Sequence, residues 1–401
     1  MRPPQRAQQP DEAHRQGRTA LADTGDASLQ SLRCTGDGAA LAGPILALGA
    51  WFNNTPCLLE RERALFSPNL GDLDTPDACR RVEPAVAALL AATPVPPLVV
   101  AHDLHPDFHS TRVALATANR LGVPALAVQH HHAHIGAVLA EHGRFDTRPV
   151  LGLAVDGVGL GSDGQAWGGE LLRVRGARCE RIGHLRPLRL PGGDRAAREP
   201  WRMASALLYA CGRGSEIAHR FSHQPAAALL AQVLSRPTLS PPTTSLGRHF
   251  DAAAGLLGVC EVMHTDAEAA VALESLARAY GELPALADGW RISPDLELDL
   301  HPLLLQLADE ADAARGAARF HVTLAAALTD WIEHALALEH CDTVVLGGGC
   351  MHNRVLSAML DTALSTRGLT VLGARRLSPG DAGIALGQAW VARHRLTLKE
   401  T

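Results

Sequence analysis

The 401-residue sequence contains no Cys-x-x-Cys pair, although it has eight cysteines, at 34, 57, 79, 179, 211, 260, 341 and 350. A zinc ribbon or a dithiol redox motif is therefore unsupported. No apolar run approaches the roughly 20 residues that cross a bilayer, so no membrane partner is expected. Basic surplus is also missing: 37 Lys and Arg face 42 Asp and Glu, for a net charge of -5. That balance argues against a nucleic-acid partner. The first residues carry charge with no apolar stretch behind them, so no secretory signal is expected. With no export signal, the thiols are expected to be reduced and the protein cytoplasmic. A Walker A loop and a short-period repeat are absent as well. What is present is an ordinary composition, 47% hydrophobic and 20% charged, in a chain long enough for two lobes.

Residues 1–40 are rich in Gln, Arg, Asp, Pro and Gly and show no apolar period. They are expected to form a disordered tail that can be deleted without loss. Residues 41–148 read as an N-terminal lobe, with strands at 44–50, 97–101 and 124–128 and a helix at 111–121. A fresh strand at 149–155 opens a C-terminal lobe, 149–401, and a glycine-rich turn followed by a strand at 170–174 makes a hairpin. A helical insertion is expected from about 201 to 338, interrupted by a Pro/Ser/Thr segment at 235–245. Strands at 343–346 and 369–372 and helices at 353–364 and 381–396 complete the lobe. Two successive α/β halves predict two lobes with a cleft between them.

Four histidines, His130, His131, His132 and His134, fall within five residues. The residues after them read as helix. His130 and His134 are four apart, so a helix carries both on one face, aimed at one point. Two imidazoles so placed form a metal site that lacks its remaining ligands. The bland alternative is a solvated turn, but the apolar Leu126-Ala127-Val128 puts the cluster at the edge of a core. Asp156 ends a buried strand and can project into the cleft. Asp381, at the start of the last helix, reads equally as a capping acid and as a third ligand beside His130 and His134.

Gly159-Leu160-Gly161-Ser162-Asp163-Gly164 matches the dinucleotide fingerprint literally. That fingerprint needs a helix directly after it, and a strand follows here, so the Rossmann reading fails. Gly347-Gly348-Gly349 is a stronger phosphate site: a strand enters and a helix leaves, bringing free N–H groups to a ligand. A side chain at Gly348 is expected to block nucleotide and leave the fold intact. Asp194, after Gly192-Gly193, reads either as a turn aspartate or as a partner for ribose hydroxyls.

Several stretches together resemble one family. They are residues 102–112 (His-Asp-Leu-His-Pro-Asp-Phe-His-Ser-Thr-Arg), 128–134, Asp156-Gly157, Trp167-Gly168-Gly169-Glu170, Gly192-Gly193-Asp194 with residues 199–204, Gly247-Arg248 with Phe250-Asp251-Ala252, Gly347-Gly348-Gly349 with Asn353-Arg354, and Asp381 with residues 383–388. In that order they resemble the C-terminal part of the hydrogenase-maturation carbamoyltransferases, the HypF family, itself related to the universal tRNA threonylcarbamoyl transferase and to antibiotic O-carbamoyltransferases.

The resemblance implies a two-lobed actin/Hsp70-like (ASKHA) α/β fold with an interlobe cleft. It implies a divalent metal, iron or zinc, held by His130, His134 and Asp381 with Asp156 nearby, and carbamoyl-adenylate, or ATP, as the nucleotide in the cleft. The expected nucleotide-binding residues are Asn54, Thr55, Gly157, Gly193, Asp194, Gly347, Gly348, Gly349 and Asn353, and the expected catalytic pair is His131 and His132. The implied activity is transfer of the carbamoyl group to the C-terminal cysteine of a partner, HypE, for cyanide ligand synthesis in nickel–iron hydrogenase. The alternatives are O-carbamoylation of a small metabolite or non-catalytic binding of HypE. Full-length members carry an acylphosphatase domain, paired zinc fingers and an adenylate-forming domain ahead of this part. The present sequence reads as a shortened form without them, expected to use supplied carbamoyl-adenylate better than carbamoyl phosphate and ATP.

Overall fold

Short apolar runs bounded by Gly, Pro or Asn become strands, and the longer periodic runs become helices. A computed structural model describes residues 28–34, 43–339 and 341–397. The first half contains β1 (Gln30–Arg33), β2 (Ile45–Ala47), β3 (Cys57–Glu60), β4 (Arg63–Phe66), α1 (Pro76–Ala91), β5 (Val99–Asp103), α2 (His109–Leu121), β6 (Ala125–Val128) and α3 (His130–Glu141). Its strands form one sheet in the order β1-β4-β3-β2-β5-β6. The β2, β3 and β4 strands pair antiparallel, whereas β2, β5 and β6 run parallel.

The second half opens on β7 (Val150–Leu160), β8 (Ala166–Arg175), β9 (Arg178–Leu185) and β10 (Leu188–Arg189). A mainly helical stretch follows: α4 (Pro200–Ala210), α5 (Ile217–Arg220), α6 (Ala227–Leu234), β11 (Pro242–Thr243), α7 (Leu246–Leu256), α8 (Glu268–Tyr280), β12 (Arg291–Ile292), β13 (Glu297–Asp299), α9 (His301–Leu307) and α10 (Ala313–Leu338). The chain then returns to the sheet with β14 (Thr343–Gly347), α11 (Arg354–Ser365), β15 (Thr370–Leu372) and α12 (Ile384–Thr397). The second sheet reads β12-β13-β9-β8-β7-β14-β15. Around β7 it repeats the first: antiparallel to one side, parallel to the other. The fold is two-lobed α/β of the actin/Hsp70-like type.

Three features depart from the sequence reading. The β1 strand lies inside the expected tail, pairing with β4 and burying Leu32 and Cys34; the other tail residues up to 27 and at 35–40 lie outside the described residues. The helical insertion contains three short strands, β11, β12 and β13, all of which join the second sheet. Finally α12, assigned by sequence to the C-terminal lobe, packs against β2, β3 and β5 of the first sheet as well as against α3. In turn α3 packs on β7, β8 and β14 of the second sheet. One apolar core, including Ala101, Val128, Ile135, Leu172, Val345 and Trp390, therefore runs through both sheets around these two helices. Among the described residues no helix is long and apolar enough to cross a membrane.

Candidate metal centre

The centre is assembled where α3 and α12 cross. Gln129 caps α3, its Oε1 accepting the His132 backbone N–H at 2.8 Å, which supplies one of the partners a helix start needs. Glycines let the helices touch: a Cβ on Gly387 would lie 1.7 Å from the Ala133 carbonyl oxygen, and one on Gly136 would lie 3.1 Å from the Gly387 oxygen. Gln388, on the next residue of α12, holds the loop after β2 by accepting from Gly49 N at 2.9 Å and donating to Gly49 O at 3.1 Å. Glu141, at the far end of α3, accepts the backbone N–H groups of Arg375, Arg376 and Leu377. That tie fixes the loop leading to Asp381.

These constraints bring His130, His134, Asp156 and Asp381 together, with one ligand atom from each lying within 4.8 Å of all the others. His130 Nε2 is 3.2 Å from His134 Nε2. Asp156 Oδ2 is 3.3 Å from each of these nitrogens, and Asp381 Oδ1 is 3.5 Å from each. The group is buried or nearly so. Two imidazole nitrogens and two carboxylate oxygens on one point suit zinc or iron. His130 Nδ1–H donates to Asp103 Oδ2 at 2.7 Å, leaving Nε2 as its free lone pair in the neutral ring. A carboxylate behind a ligating histidine in this way fixes its tautomer.

Electrostatics show what the residues do to one another. Burial alone would lower the pKa of His130, but Asp381, Asp103 and Asp156 together hold it well above the ordinary histidine value. Burial also opposes the charged form of His134, and hydrogen bonds to Asp156 and Asp381 outweigh it and raise its pKa. Burial would raise both carboxylates; the two histidines instead hold Asp156 well below its usual value and lower Asp381. Without an ion, these shifts favour protons on the imidazoles and negative charge on the carboxylates. A metal replaces those protons.

The glycine loop serves this centre directly. Gly349 N donates to Asp156 Oδ1 at 2.9 Å. A Cβ on Gly347 would meet the His134 carbonyl oxygen at 3.2 Å, and one on Gly348, at φ +97°, would meet the Val155 oxygen at 2.3 Å. A valine at Gly348 would thus strain the backbone and clash, so the expectation of an intact fold is corrected. Ser245, the cap of α7, accepts from Arg248 N at 3.2 Å and donates to the Asp156 carbonyl at 3.1 Å. Gly157 lies beside it with open space at its Cβ position.

Other expected site residues lie elsewhere or are already committed. His131 sits beside the centre, its ring 5.4 Å from that of His130. His132 points away: its Nε2 bonds the Gly176 carbonyl at 3.1 Å, its ring meets Trp390, and burial lowers its pKa to about 4. Its catalytic assignment is withdrawn, because two residues of helix turn it about 200° from His130. Asn54 uses both amide hydrogens on the Leu48 and Ala50 carbonyls, and Thr55 donates to the Asn53 carbonyl at 2.9 Å. Both hold the loop between β2 and β3. Asn353 caps α11, with Oδ1 accepting from Leu356 N, while its amide nitrogen faces His321 Nε2 at 2.9 Å. Gly193 and Asp194 open a 3-10 turn, Gly193–Ala197, and Asp194 is exposed. The Gly159–Gly164 segment forms the tip of the β7–β8 hairpin.

Sequence reasoning did not assign Asp103, Glu141 or Gln388. Asp103 was within reach, because it closes the buried strand β5 inside the quoted stretch 102–112. The other two act across more than 200 residues of sequence and carry no local signal.

Fold and centre define a class: a two-lobed actin/Hsp70-like protein with a four-residue histidine–carboxylate cluster between its lobes. Comparison with known proteins narrows it. Residues 40–141 match the HypF Kae1-like domain, and residues 152–388 match the carbamoyltransferase Kae1-like domain, second subdomain. The chain belongs to the HypF carbamoyltransferase family. Carbamoyltransferase HypF2 of Cupriavidus necator is 52% identical over 383 residues, covering 89% of this chain and 47% of that protein. A carbamoyltransferase HypF homolog from the same organism is 50% identical over 367 residues, covering 88% of this chain and 92% of the homolog. The crystal structure of full-length HypF in its phosphate- and nucleotide-bound form superposes with a TM-score of 0.81 at 30% identity, covering 91% of this chain and 48% of that one. T. kodakarensis HypF gives 0.79 at 27%, covering 91% and 50%. The chain thus spans about half the length of the full-size relatives and most of the shorter homolog.

Proposed function

We propose that the chain transfers a carbamoyl group from carbamoyl-adenylate to the C-terminal cysteine of HypE in the cytoplasm. A divalent iron or zinc ion would be held by His130, His134, Asp156 and Asp381. The observation that carries the reading is this four-donor cluster at the crossing of α3 and α12, in a chain of the HypF family. Binding of phosphate and nucleotide by a solved relative supports a nucleotide-linked reaction.

A bound ion would supply Lewis-acid polarisation of a carbamoyl or phosphate oxygen. The chain's own residues do the rest. Asp103 orients His130, and Gly349 N–H fixes the Asp156 carboxylate. The nucleotide would lie in the cleft beside the loop 347–349, whose glycines let the loop pack against His134, Val155 and Asp156. The HypE thiolate attacks the carbamoyl carbon; the new C–S bond forms as the C–O bond to phosphate breaks, and AMP leaves with that electron pair.

The test is incubation of the metal-loaded chain with HypE and carbamoyl-adenylate, read by mass spectrometry of the HypE C-terminal peptide. One added carbamoyl group is the expected result; unmodified HypE overturns the reading. Carbamoyl phosphate and ATP, supplied instead, are expected to react much more slowly, because adenylate formation in the family is assigned to a separate domain. Equal rates would show that these two lobes perform both steps.

A further inference from the structure

His131 is fully buried, and its Nε2 has no hydrogen-bond partner. Its neighbours fix where its proton sits. Gln129 Oε1 accepts the His132 backbone N–H at 2.8 Å. The amide nitrogen of Gln129 is therefore the group that lies 3.2 Å from the Leu160 carbonyl and 3.0 Å from His131 Nδ1. A carboxamide nitrogen only donates. His131 Nδ1 is then the acceptor, and Nε2 carries the ring proton.

A second buried donor without a partner is next to it. Trp167 Nε1 has no acceptor, and the centroids of the two rings are 5.9 Å apart. Both rings lie under the same face of β7. A Cβ on Gly159 would come within 2.7 Å of His131, and one on Gly161 within 2.2 Å of Trp167 Nε1. Folded proteins rarely bury an N–H group without an acceptor, and those that do usually await a water, an ion or a substrate. The place is close to the chemistry: the His131 ring is 5.4 Å from the His130 ring and 6.4 Å from the His134 ring. The Arg181 guanidinium, paired with Glu170 and Asp163, stacks over the Trp167 ring at 4.2 Å and fixes its place.

We propose that His131 Nε2–H and Trp167 Nε1–H form a donor subsite, beside the metal cluster, for an acceptor oxygen of the carbamoyl-phosphate portion of the substrate. This rests on the carbamoyl-transfer reading and adds to it the residues that would hold the reacting group. A neutral imidazole with a fixed proton stabilises charge growing on that oxygen without surrendering the proton. The carbamoyl carbonyl and a phosphate oxygen offer the same chemistry, and the probes below separate them.

The experiment uses the full, zinc-loaded chain with 15N-labelled histidine. NMR should show His131 protonated at Nε2 and bare at Nδ1, the resonance being assigned from its loss in His131→Phe. Carbamoyl phosphate should shift the Nε2 signal. A matching shift with inorganic phosphate identifies a phosphate oxygen as the partner; a shift with carbamoyl phosphate alone identifies the carbonyl. In calorimetry, His131→Phe should bind carbamoyl phosphate at least tenfold more weakly with unchanged zinc content. Trp167→Phe should weaken it severalfold, and His131→Gln, which keeps a donor, should recover part of the loss. A proton on Nδ1, or wild-type affinity in His131→Phe, overturns the subsite alone. A wild-type chain that binds neither probe overturns the subsite, whereas failure to carbamoylate HypE from carbamoyl-adenylate overturns the carbamoyl-transfer reading and this inference with it.

Discussion

The first sheet runs β4-β3-β2-β5-β6 beyond its edge strand, and the second runs β9-β8-β7-β14-β15 in the corresponding places. After the last parallel strand of each comes a helix, α3 in one lobe and α12 in the other. These equivalent helices cross at Gly136 and Gly387. Their starts carry different chemistry. The first turn and a half of α3 supplies His130 and His134, whereas α12 is preceded by Asp381, and β7 adds Asp156. One half of the chain gives nitrogen and the other gives oxygen. A near-symmetric scaffold creates the junction, and the asymmetric donors make an ion there a link between the two halves.

The most damaging way to break the comparison is at the crossing itself. Gly387→Ala places a methyl group 1.7 Å from the Ala133 oxygen, so the helices must separate. Overpacking of this kind is expected to cost about 3 kcal/mol, read as a lower denaturant midpoint, and to weaken zinc binding as the four ligands move apart. Unchanged stability would mean that the crossing does not hold the lobes.

Removing a ligand from either half should have equal consequences if the ion joins them. His134→Ala and Asp381→Ala are each expected to lower zinc affinity by more than about 100-fold, beyond the effect of typical supporting residues. Metal content of the purified variants checks this. Retained zinc in His134→Ala would remove that residue from the site; retained zinc in Asp381→Ala would remove Asp381 and leave Asp156 to link the ion to the second half.

What the sequence could and could not show follows the same division. His130 and His134 were legible because i,i+4 spacing is local geometry, and Asp156 because a carboxylate directly after an apolar run is conspicuous, although β7 runs on past it to Leu160. Asp381 read equally as a cap, and only the resemblance favoured it as a ligand. His132 was misread because a run of four histidines does not announce which face each occupies. Asn353 looked like a cleft residue, but its side chain caps α11, a role open to any asparagine before a helix. The two-lobed plan followed from the α/β alternation, but the antiparallel β3 and β4 of the first sheet were not read from it. The packing of α12 on the first sheet did not follow either, because contacts such as Gln388 with Gly49 join residues 339 positions apart.

A smaller, sharper break tests the support behind one ligand. Asp103 has no counterpart behind His134, whose Nδ1 is buried without a partner. Asp103→Asn is expected to reduce zinc affinity by about 10- to 100-fold, with the fold retained. An unchanged affinity would show that His130 needs no carboxylate behind it.

The centre should also respond to pH with opposite signs in its two states. In the metal-free chain, His130 and His134 have raised pKa values, so their stabilisation is complete below the unfolded histidine value and is lost as pH rises through their folded values. Asp156 and Asp381 have lowered values, so theirs is present above the unfolded carboxylate value and is lost as pH falls through the folded ones. Metal-free stability should therefore be greatest between the unfolded carboxylate and imidazole values, and decline above them. Zinc affinity should instead rise with pH, since binding releases the histidine protons. Thermal melts with and without zinc across that range test both signs; parallel curves would show that protons and zinc do not compete here.

The mildest test separates the edge of the first lobe from its centre. The β1 strand occupies the place that β13 takes beyond β9 in the second sheet, but it pairs antiparallel, whereas β13 pairs parallel. It buries Leu32 and Cys34 in the core that α3 and α12 share. A chain beginning at Pro44 loses that ladder and the burial of one leucine, for which about 2 kcal/mol is a fair measure. A chain beginning at Ser28 keeps both. The first should show a lower denaturant midpoint than the second, while their zinc affinities agree. Equal midpoints would mean that β1 adds nothing to the sheet it edges. A drop in zinc affinity on losing β1 would mean that the shared core carries strain from the edge strand to the crossing.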